Sequence, residues 1–182
     1  MLAAEPPERV AALLEEKVVV ARAADAGAAD AGTVVARGLV IFDQPIDRTF
    51  QLLAQTSRQR EYRPELAGIE TVEELPDGSV EEHRLRILFL DIRYRLRNRL
   101  ERERRRLLWD LAPGFDHDLA RVDGSWALHP LRPSRTLGVL TTRVEMGAAM
   151  PLFLQDYATR RNLPATLERC RRWVDGDGRI DD

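Results

Sequence analysis

The sequence is poor in the features that identify secreted and membrane-spanning proteins. It has one cysteine, Cys170, among 182 residues, which excludes an intrachain disulfide and is typical of a reducing compartment. The sequence contains no run of about 18 apolar residues, the length that a transmembrane helix needs. The N-terminus lacks the basic segment and apolar run of a signal peptide. These absences predict a cytoplasmic protein with no stable insertion into a membrane.

Lysine and the common catalytic motifs are also scarce or missing. Lys17 is the only lysine among 28 basic residues, and the formal net charge of −2 argues against a dedicated nucleic-acid-binding protein. There is no nucleophile elbow, P-loop or dinucleotide-binding fingerprint. The histidines lack metal-ligand spacing, and His117 between two aspartates is more typical of a solvated loop than of a metal ligand. We therefore expect no cofactor, metal or nucleic-acid partner, assign no catalytic residue, and leave the oligomeric state open.

What remains is an ordinary globular composition, 44% hydrophobic and 32% charged, in a chain long enough for one domain with a sizeable core. Alternation of apolar and polar residues between turn signals predicts strands. The predicted strands are residues 18–21, 33–42, 69–75, 79–90, 93–100, 105–111, 119–129 and 136–146. The predicted helices are residues 6–16, 45–55, 57–62 and 151–174, with Ser57 as a cap and a mobile loop at 23–32. This order predicts an α+β domain with an antiparallel sheet.

The C-terminal helix is the element around which the chain is organised. Its apolar residues Leu163, Leu167, Cys170 and Val174 fall on one face. Pro164 removes a backbone donor, which predicts a kink or a break in the helix. A helix of that length could cover a whole curved sheet.

Several short motifs carry a resemblance to a known family. They are Asp43-Gln44-Pro45, Phe50-Gln51-Leu52-Leu53, Tyr62-Arg63-Pro64, Trp109-Asp110-Leu111, the stretch at residues 124–130, Thr136-Leu137, and the stretch at residues 150–154. Together with the order of elements, they resemble the START-like superfamily, or SRPBCC, which includes birch-pollen allergens and the polyketide cyclase/dehydrase family.

The resemblance implies a helix-grip fold, in which a curved antiparallel sheet wraps around a long C-terminal helix, often with a cavity for an apolar ligand. On this basis we divide the chain into three parts. Residues 1–32 form an N-terminal helix, edge strand and flexible loop, residues 33–175 the START-like domain, and residues 176–182 a flexible tail.

Alternation predicts which side chains face inward, and polar residues among them raise the question of a ligand. Tyr94, Asn98 and Thr142 would each need a hydrogen bond, a water or a ligand if buried. A packed core and an apolar pocket with a few polar groups both remain open. The candidate ligand-binding residues are Phe89, Tyr94, Leu96, Asn98, Trp109, Trp126, Leu128, Leu140, Thr142, Val144, Leu154 and Tyr157.

The arginines between residues 93 and 106 admit two interpretations. They could bind RNA, phosphate or an anionic membrane. We favour a solvated outer face with Arg93, Arg95, Arg97 and Arg99 exposed, because no aromatic residues are interleaved with them on the same face of the strand. The paired carboxylates would be Glu81, Glu82, Glu101 and Glu103.

Three functions follow as hypotheses. The first is a binding or carrier protein for a small hydrophobic molecule such as a lipid, quinone or polyketide. The second is an enzyme like the polyketide cyclases and aromatases, in which Tyr94, Asn98 and Thr142 orient a reactive chain and Arg143 holds an anionic end. The third is an interaction module that binds a partner on its arginine-rich face.

Overall fold

The structure is a computed structural model that describes residues 13, 15, 17–22, 33–87, 90–146 and 162–180. Its strands are β1 (Val18–Arg22), β2 (Thr33–Phe42), β3 (Leu66–Leu75), β4 (Gly78–Ile87), β5 (Leu90–Glu101), β6 (Arg106–Leu111), β7 (Leu119–Arg132) and β8 (Arg135–Met146). Its helices are α1 (Ile46–Leu53), a 3-10 helix (Thr56–Glu61) and α2 (Leu163–Asp175).

All described strands belong to one antiparallel sheet. Its eight strands follow the order β1-β2-β8-β7-β6-β5-β4-β3, so sequence neighbours pair everywhere except where β2 meets β8. The predicted edge strand is present, since β1 pairs with β2 and Val18 lies opposite Val40. The α+β class and the curved antiparallel sheet with a C-terminal helix are confirmed.

The predicted alternation sets the two faces of the sheet. In β5, Tyr94, Leu96 and Asn98 are buried, whereas Arg93 and Arg97 are exposed. Successive side chains of a strand point to opposite sides, so one face collects the apolar residues and the other the arginines. We call the apolar side the inner face.

Helix α2 packs on the inner face through Leu167, Cys170, Trp173 and Val174, each at most 2% exposed. The predicted apolar face of the helix is therefore confirmed, with Trp173 added. Gly38 of β2 allows this close packing, because a Cβ there would lie 2.5 Å from Leu167 Cδ1.

The predicted long helix is described only in its second part. Helix α2 begins at Leu163, and Pro164 occupies its first turn, where the missing N–H has no intrahelical partner. Residues 151–161 lie outside the described residues, as do most of the predicted helix at 6–16 and the predicted loop at 23–32.

The outer face also carries an apolar cluster, made by strands β2 and β8. Leu39, Ile41, Leu137 and Val139 are buried there together with Leu13, which is 1% exposed. The described part of the N-terminal segment thus covers the outer side of the sheet, opposite α2. Burial of these side chains stabilises the attachment of the segment to the domain.

Two local predictions are wrong. The strand predicted to run to Leu90 ends at Ile87, and Leu90 opens β5. The predicted second helix is a 3-10 helix that begins at Thr56, without a side-chain cap from Ser57. The Thr56 hydroxyl instead donates to a buried carboxylate in the sheet.

The predicted flexible tail makes several contacts with the domain. Arg58 Nη2 donates to the Gly178 carbonyl at 2.9 Å, and the Arg48 side chain bonds to Asp177. Ile180 packs against the core beneath α2. These contacts anchor residues 176–180 to α1 and the 3-10 helix.

Candidate functional site

An apolar cavity of about 90 Å³ lies between α2 and the inner face of the sheet. Its wall is formed by Leu53, Gln59, Tyr62, Arg63, Leu96, Asn98, Leu107, Trp109, Trp126, Leu140, Leu163, Thr166, Leu167 and Cys170. A small-molecule pocket usually has a volume of about 300–1,000 Å³, and this cavity is smaller. A cavity of about 150 Å³ in another protein accepts benzene, so this smaller one fits only the end of a longer molecule.

Five of the predicted ligand-binding residues line this cavity: Leu96, Asn98, Trp109, Trp126 and Leu140. They come from strands β5 to β8, whose inner faces meet beneath α2. Their convergence agrees with the predicted inner face.

The other predicted residues are placed elsewhere. Tyr94 and Val144 belong to a second apolar cluster, together with Leu85 and Ile92. Leu128 is buried in the core beneath α2, and Thr142 is half-buried, but the wall of this cavity includes neither. The last three, Phe89, Leu154 and Tyr157, lie outside the residues whose placement or side chains are described. Alternation predicts the face of a strand but not which part of it lies under a helix.

The position of Trp109 depends on the residue opposite it. Trp109 pairs with Gly124 of β7, and a Cβ on Gly124 would lie 2.5 Å from Trp109 Cζ2. A Cβ there would also lie 2.5 Å from the Thr141 carbonyl oxygen, so the indole lies across the neighbouring backbone at a position where only glycine fits. Gly124 thereby shapes one wall of the cavity.

A buried polar network adjoins the cavity at Asn98. Asn98 Nδ2 donates to Glu81 Oε2 at 3.0 Å and to Ser79 Oγ at 3.4 Å. Glu81 Oε1 accepts from Thr56 Oγ1 at 2.5 Å, and His83 Nε2 lies 3.4 Å from Glu81 Oε2. All five residues are buried. Ser79 Oγ also donates to Glu81 Oε1 at 3.3 Å, so each oxygen of the carboxylate has two hydrogen-bonding neighbours, which is how a buried charge is accommodated.

The network holds Glu81 ionised and His83 neutral. Burial raises the pKa of Glu81, but hydrogen bonds from His83, Thr56 and Ser79 outweigh it and leave the pKa below its usual value. Burial lowers the pKa of His83, and the nearby Arg63 charge acts in the same direction against the attraction of Glu81. A neutral imidazole then donates from Nε2 to the carboxylate, while Nδ1 has no partner among the described residues.

The prediction that Glu81 pairs with arginines on the outer face is wrong. Glu81 is 2% exposed and lies on the inner face of β4, in line with Ser79, His83 and Leu85. The signal was present, since counting back in twos from the inward Leu85 reaches these residues. A charged residue is usually exposed, so the charge of Glu81 favours the outer face although the alternation places it inward. For this reason the network is not predicted from the sequence.

A second polar group on the cavity wall is Arg63, which follows the 3-10 helix. Its Nη1 donates to Gln59 Oε1 at 2.9 Å and its Nε to Glu65 Oε1 at 3.0 Å. The Arg63 side chain is 25% exposed and that of Glu65 is 8% exposed. Burial raises the pKa of Tyr94. The charge of Arg63 and a hydrogen bond with Arg63 act in the opposite direction, but the pKa stays above its usual value. Arg63 is therefore a positively charged residue of the cavity wall whose side chain is fixed by Gln59 and Glu65.

A polar cleft of about 220 Å³ lies on the other side of Asn98. It opens between the start of the 3-10 helix and the turn that joins β3 to β4. Ser79, Glu81 and Asn98 form part of its wall, as do Thr56 and Glu74. Asn98 thus separates a polar cleft from an apolar cavity.

Cys170 lines the cavity as an unreactive group. Burial raises the pKa of its thiol to about 12, which keeps it protonated at neutral pH. The interpretation of Cys170 as a small apolar residue of the helix agrees with this environment.

The outer face of β5 has the arrangement expected for the arginines. Arg93, Arg97 and Arg99 are exposed, and Arg95 is half-buried. Arg95 pairs with Glu82 at 3.0 Å. Phe115, which lies outside the predicted strands, packs against two of these arginines. The centre of its ring lies 4.3 Å from the Arg95 guanidinium and 5.2 Å from that of Arg93.

Among the described residues, no group of three or more histidine, cysteine or carboxylate side chains could hold a metal ion. None of the described helices is long and apolar enough to cross a membrane.

Comparison with known proteins identifies the fold. No protein-family model matches the sequence, and neither does any curated protein. Solved structures do match. The Zhui aromatase/cyclase from Streptomyces sp. R1128 is 20% identical, with a TM-score of 0.65 over 81% of this chain and 99% of that chain. A START superfamily protein from Mycobacterium smegmatis is 16% identical, with a TM-score of 0.61 over 78% of this chain and 94% of that chain.

A third match is Ara h 8.0201, at 12% identity and a TM-score of 0.57 over 79% of this chain and 98% of that chain. These similarities show that the chain has a START-like, helix-grip fold. At such low identities they carry the fold alone, and function depends on the site.

Proposed function

We propose that this protein binds a small hydrophobic molecule, such as a lipid, quinone or polyketide-like compound, between the sheet and the C-terminal helix. The observation that carries the proposal is the cavity beneath α2, where Leu96, Trp109, Trp126 and Leu140 surround an apolar space with few polar groups. Such a combination is typical of small-molecule sites, in which apolar walls provide affinity and isolated polar groups fix orientation.

Binding would bury apolar ligand surface against side chains that are already ordered. Trp126 is 7% exposed and packs on Phe42 with ring centroids 6.0 Å apart. A wall fixed in this way loses little conformational entropy when a ligand enters. We further place the protein in the cytoplasm, in keeping with its single, unpaired cysteine.

The experiment is native mass spectrometry of the purified protein, followed by solvent extraction and identification of any bound compound. A hydrophobic fluorescent probe should also bind at a dissociation constant of about 1 µM, equivalent to about −8 kcal/mol. The matched control is Thr166→Phe, at a partly exposed position of α2 on the cavity wall, which we expect to fill part of the cavity while the fold is retained. Absence of a co-purified compound together with absence of saturable probe binding would contradict the proposal.

A second candidate is an enzyme related in mechanism to polyketide cyclases. The observation that favours it is the Glu81–His83–Asn98 network next to the cavity, since buried titratable groups with displaced pKa values cluster at catalytic sites. One of the similar structures is described as an aromatase/cyclase. The test is incubation of the protein with a synthetic poly-β-ketone and detection of cyclised product. Equal cyclisation with and without the protein would count against an enzyme.

A further inference from the structure

The polar cleft beside Asn98 is distinct from the cavity beneath α2, and the proposed binding function does not involve it. It has a volume of about 220 Å³ and opens between the 3-10 helix and the turn that joins β3 to β4. Its rim is formed by exposed residues, which include Ser57, Glu74 and Arg102. Four residues of its wall are at most 8% exposed, and we call them the base of the cleft: Thr56, Ser79, Glu81 and Asn98.

The side chains at the base of the cleft use their hydrogen-bond donors on one another. The Thr56 and Ser79 hydroxyls both donate to Glu81 Oε1, at 2.5 and 3.3 Å. Asn98 Nδ2 donates to Glu81 Oε2 at 3.0 Å and to Ser79 Oγ at 3.4 Å. A hydroxyl has one donor hydrogen and an amide nitrogen has two, so these four side chains keep no donor for a ligand. Towards a ligand they can only offer oxygen acceptors.

The base of the cleft also carries a negative charge that no lysine or arginine of the described residues pairs with. Glu81 is ionised, and within the described part of the chain its ion-pair neighbour is His83, which is neutral. Water screens a buried charge weakly. A cleft lined by one sign of charge raises the local concentration of the opposite sign. The base of the cleft therefore attracts a positively charged group.

The rim of the cleft does not reverse this preference. Arg102 is the basic residue of the wall, but its side chain is exposed, and solvent screens an exposed charge more strongly than a buried one. Glu74 lies opposite Ser79 in the register of β3 and β4, so its carboxyl group adds acceptor oxygens on the same face of the sheet. A divalent metal ion is not indicated, because no group of three or more ligating side chains among the described residues could hold one.

We propose that this cleft is a second ligand site, which binds the primary ammonium group of a small organic amine. An ammonium group has three N–H donors and no acceptor, so it complements a base that offers acceptors and a negative charge. The volume of about 220 Å³ accommodates the ammonium group with a short chain. An alcohol would bring a donor without charge, and a quaternary ammonium ion would bring charge without a donor.

The test compares three probes that separate charge from hydrogen bonding: propylamine, 1-propanol and propyltrimethylammonium. Their binding is measured at neutral pH and constant ionic strength from the backbone amide resonances of Thr56 and Ser79. We expect propylamine, which is a cation at this pH, to bind about ten times more tightly than either of the others, the effect of one hydrogen bond between charged groups. The indole resonances of Trp109 and Trp126, which line the cavity beneath α2, report any binding there instead.

Variants at the rim and at the base locate the bound amine. Ser57→Phe should fill the mouth of the cleft and weaken propylamine binding at least about tenfold, whereas the matched control Ser57→Ala should leave it unchanged. Ser57 is exposed and the 3-10 helix has no side-chain cap, so both variants should fold. Glu81→Gln removes the charge and adds donors, so propylamine should lose its advantage over 1-propanol. If Glu81→Gln does not fold, the Ser57 pair still decides the test.

Several results would overturn the inference. Equal affinities for propylamine and 1-propanol would show that charge does not matter, and equal affinities for propylamine and propyltrimethylammonium would show that donors do not matter. Unchanged propylamine binding in Ser57→Phe would place the amine outside the cleft. No shift at Thr56 or Ser79 with about 100 mM propylamine would mean that the cleft binds no amine. The proposed binding function stands in each case, because it concerns the cavity beneath α2.

Discussion

The Asn98 side chain donates from Nδ2 to Glu81 Oε2 at 3.0 Å, across two neighbouring strands and out of contact with bulk water. Asn98 is 2% exposed and also lines the apolar cavity. One amide therefore supports a buried carboxylate and borders a candidate ligand site. This bond gives Asn98 a structural role beside its place on the cavity wall.

Asn98→Leu should lower the free energy of unfolding by about 1–3 kcal/mol, because Glu81 loses a donor that water does not replace. Asn98→Leu combined with Glu81→Leu should cost less than the sum of the two single changes, since the charge is removed with its partner. Urea unfolding of the wild type, both single variants and the double variant measures this coupling. Strict additivity would mean that the bond contributes nothing.

Acid should destabilise the protein through His83 first and Glu81 later. Both have folded-state pKa values below their ordinary values of 6.5 and 4.5. Each therefore contributes stability at high pH that is lost as pH falls below those values, because the unfolded state binds the proton more readily. Glu81, Arg63 and the Tyr94 ring are the titratable groups that face His83.

The corresponding variant is His83→Gln, which should flatten the dependence of unfolding free energy on pH between about 7 and 5. Its control is His129→Gln, at a half-buried histidine outside the network, which should change that slope less. Urea unfolding at three pH values in this range provides the measurement. A wild-type protein whose stability is constant across the range would contradict the assignment of a neutral buried His83.

Trp126→Ala should cost about 3–5 kcal/mol, because the ring is 7% exposed and packs on Phe42. The same change at Trp109, which is only partly buried, should cost less. Thermal and urea unfolding of both variants gives the comparison. A smaller loss at Trp126 than at Trp109 would mean that the core beneath α2 is centred elsewhere.

The outer-face arginines should matter little for stability. Reversing the exposed Arg93 and Arg97 together to glutamate should change the free energy of unfolding by less than about 1 kcal/mol. Binding of RNA and of anionic vesicles by the wild type should be weak at physiological salt. Tight, salt-sensitive binding that disappears in this variant would instead favour the interaction-module hypothesis.

Cys170 should resist thiol reagents in the folded protein. Its pKa of about 12 leaves almost no thiolate at pH 8, and its side chain is 2% exposed. Labelling followed by mass spectrometry should therefore proceed at the rate of unfolding, and rapidly in urea. Fast labelling in native buffer would show that the cavity opens widely beneath α2.

The sequence by itself determined the elements and the faces they present. Alternation in β5 assigned Asn98 to the inner face and Arg97 to the outer one, and the helical spacing of Leu167 and Cys170 assigned the packed side of α2. These properties depend on the local geometry of strands and helices, so a short stretch of chain contains them. The alternation in β4 likewise predicts that Glu81 faces inward, although its charge favours the outer face.

Only the tertiary structure decided which inward residues meet. Thr56 and Glu81 are 25 positions apart and bond directly, whereas Tyr94, four residues from Asn98, belongs to a different cluster beyond the cavity. Strand register, the docking of α2 and the path of the chain through Arg63 fix those contacts. Each depends on packing between segments that are distant in sequence. The burial and hydrogen bonds of one residue there depend on several other residues at the same time.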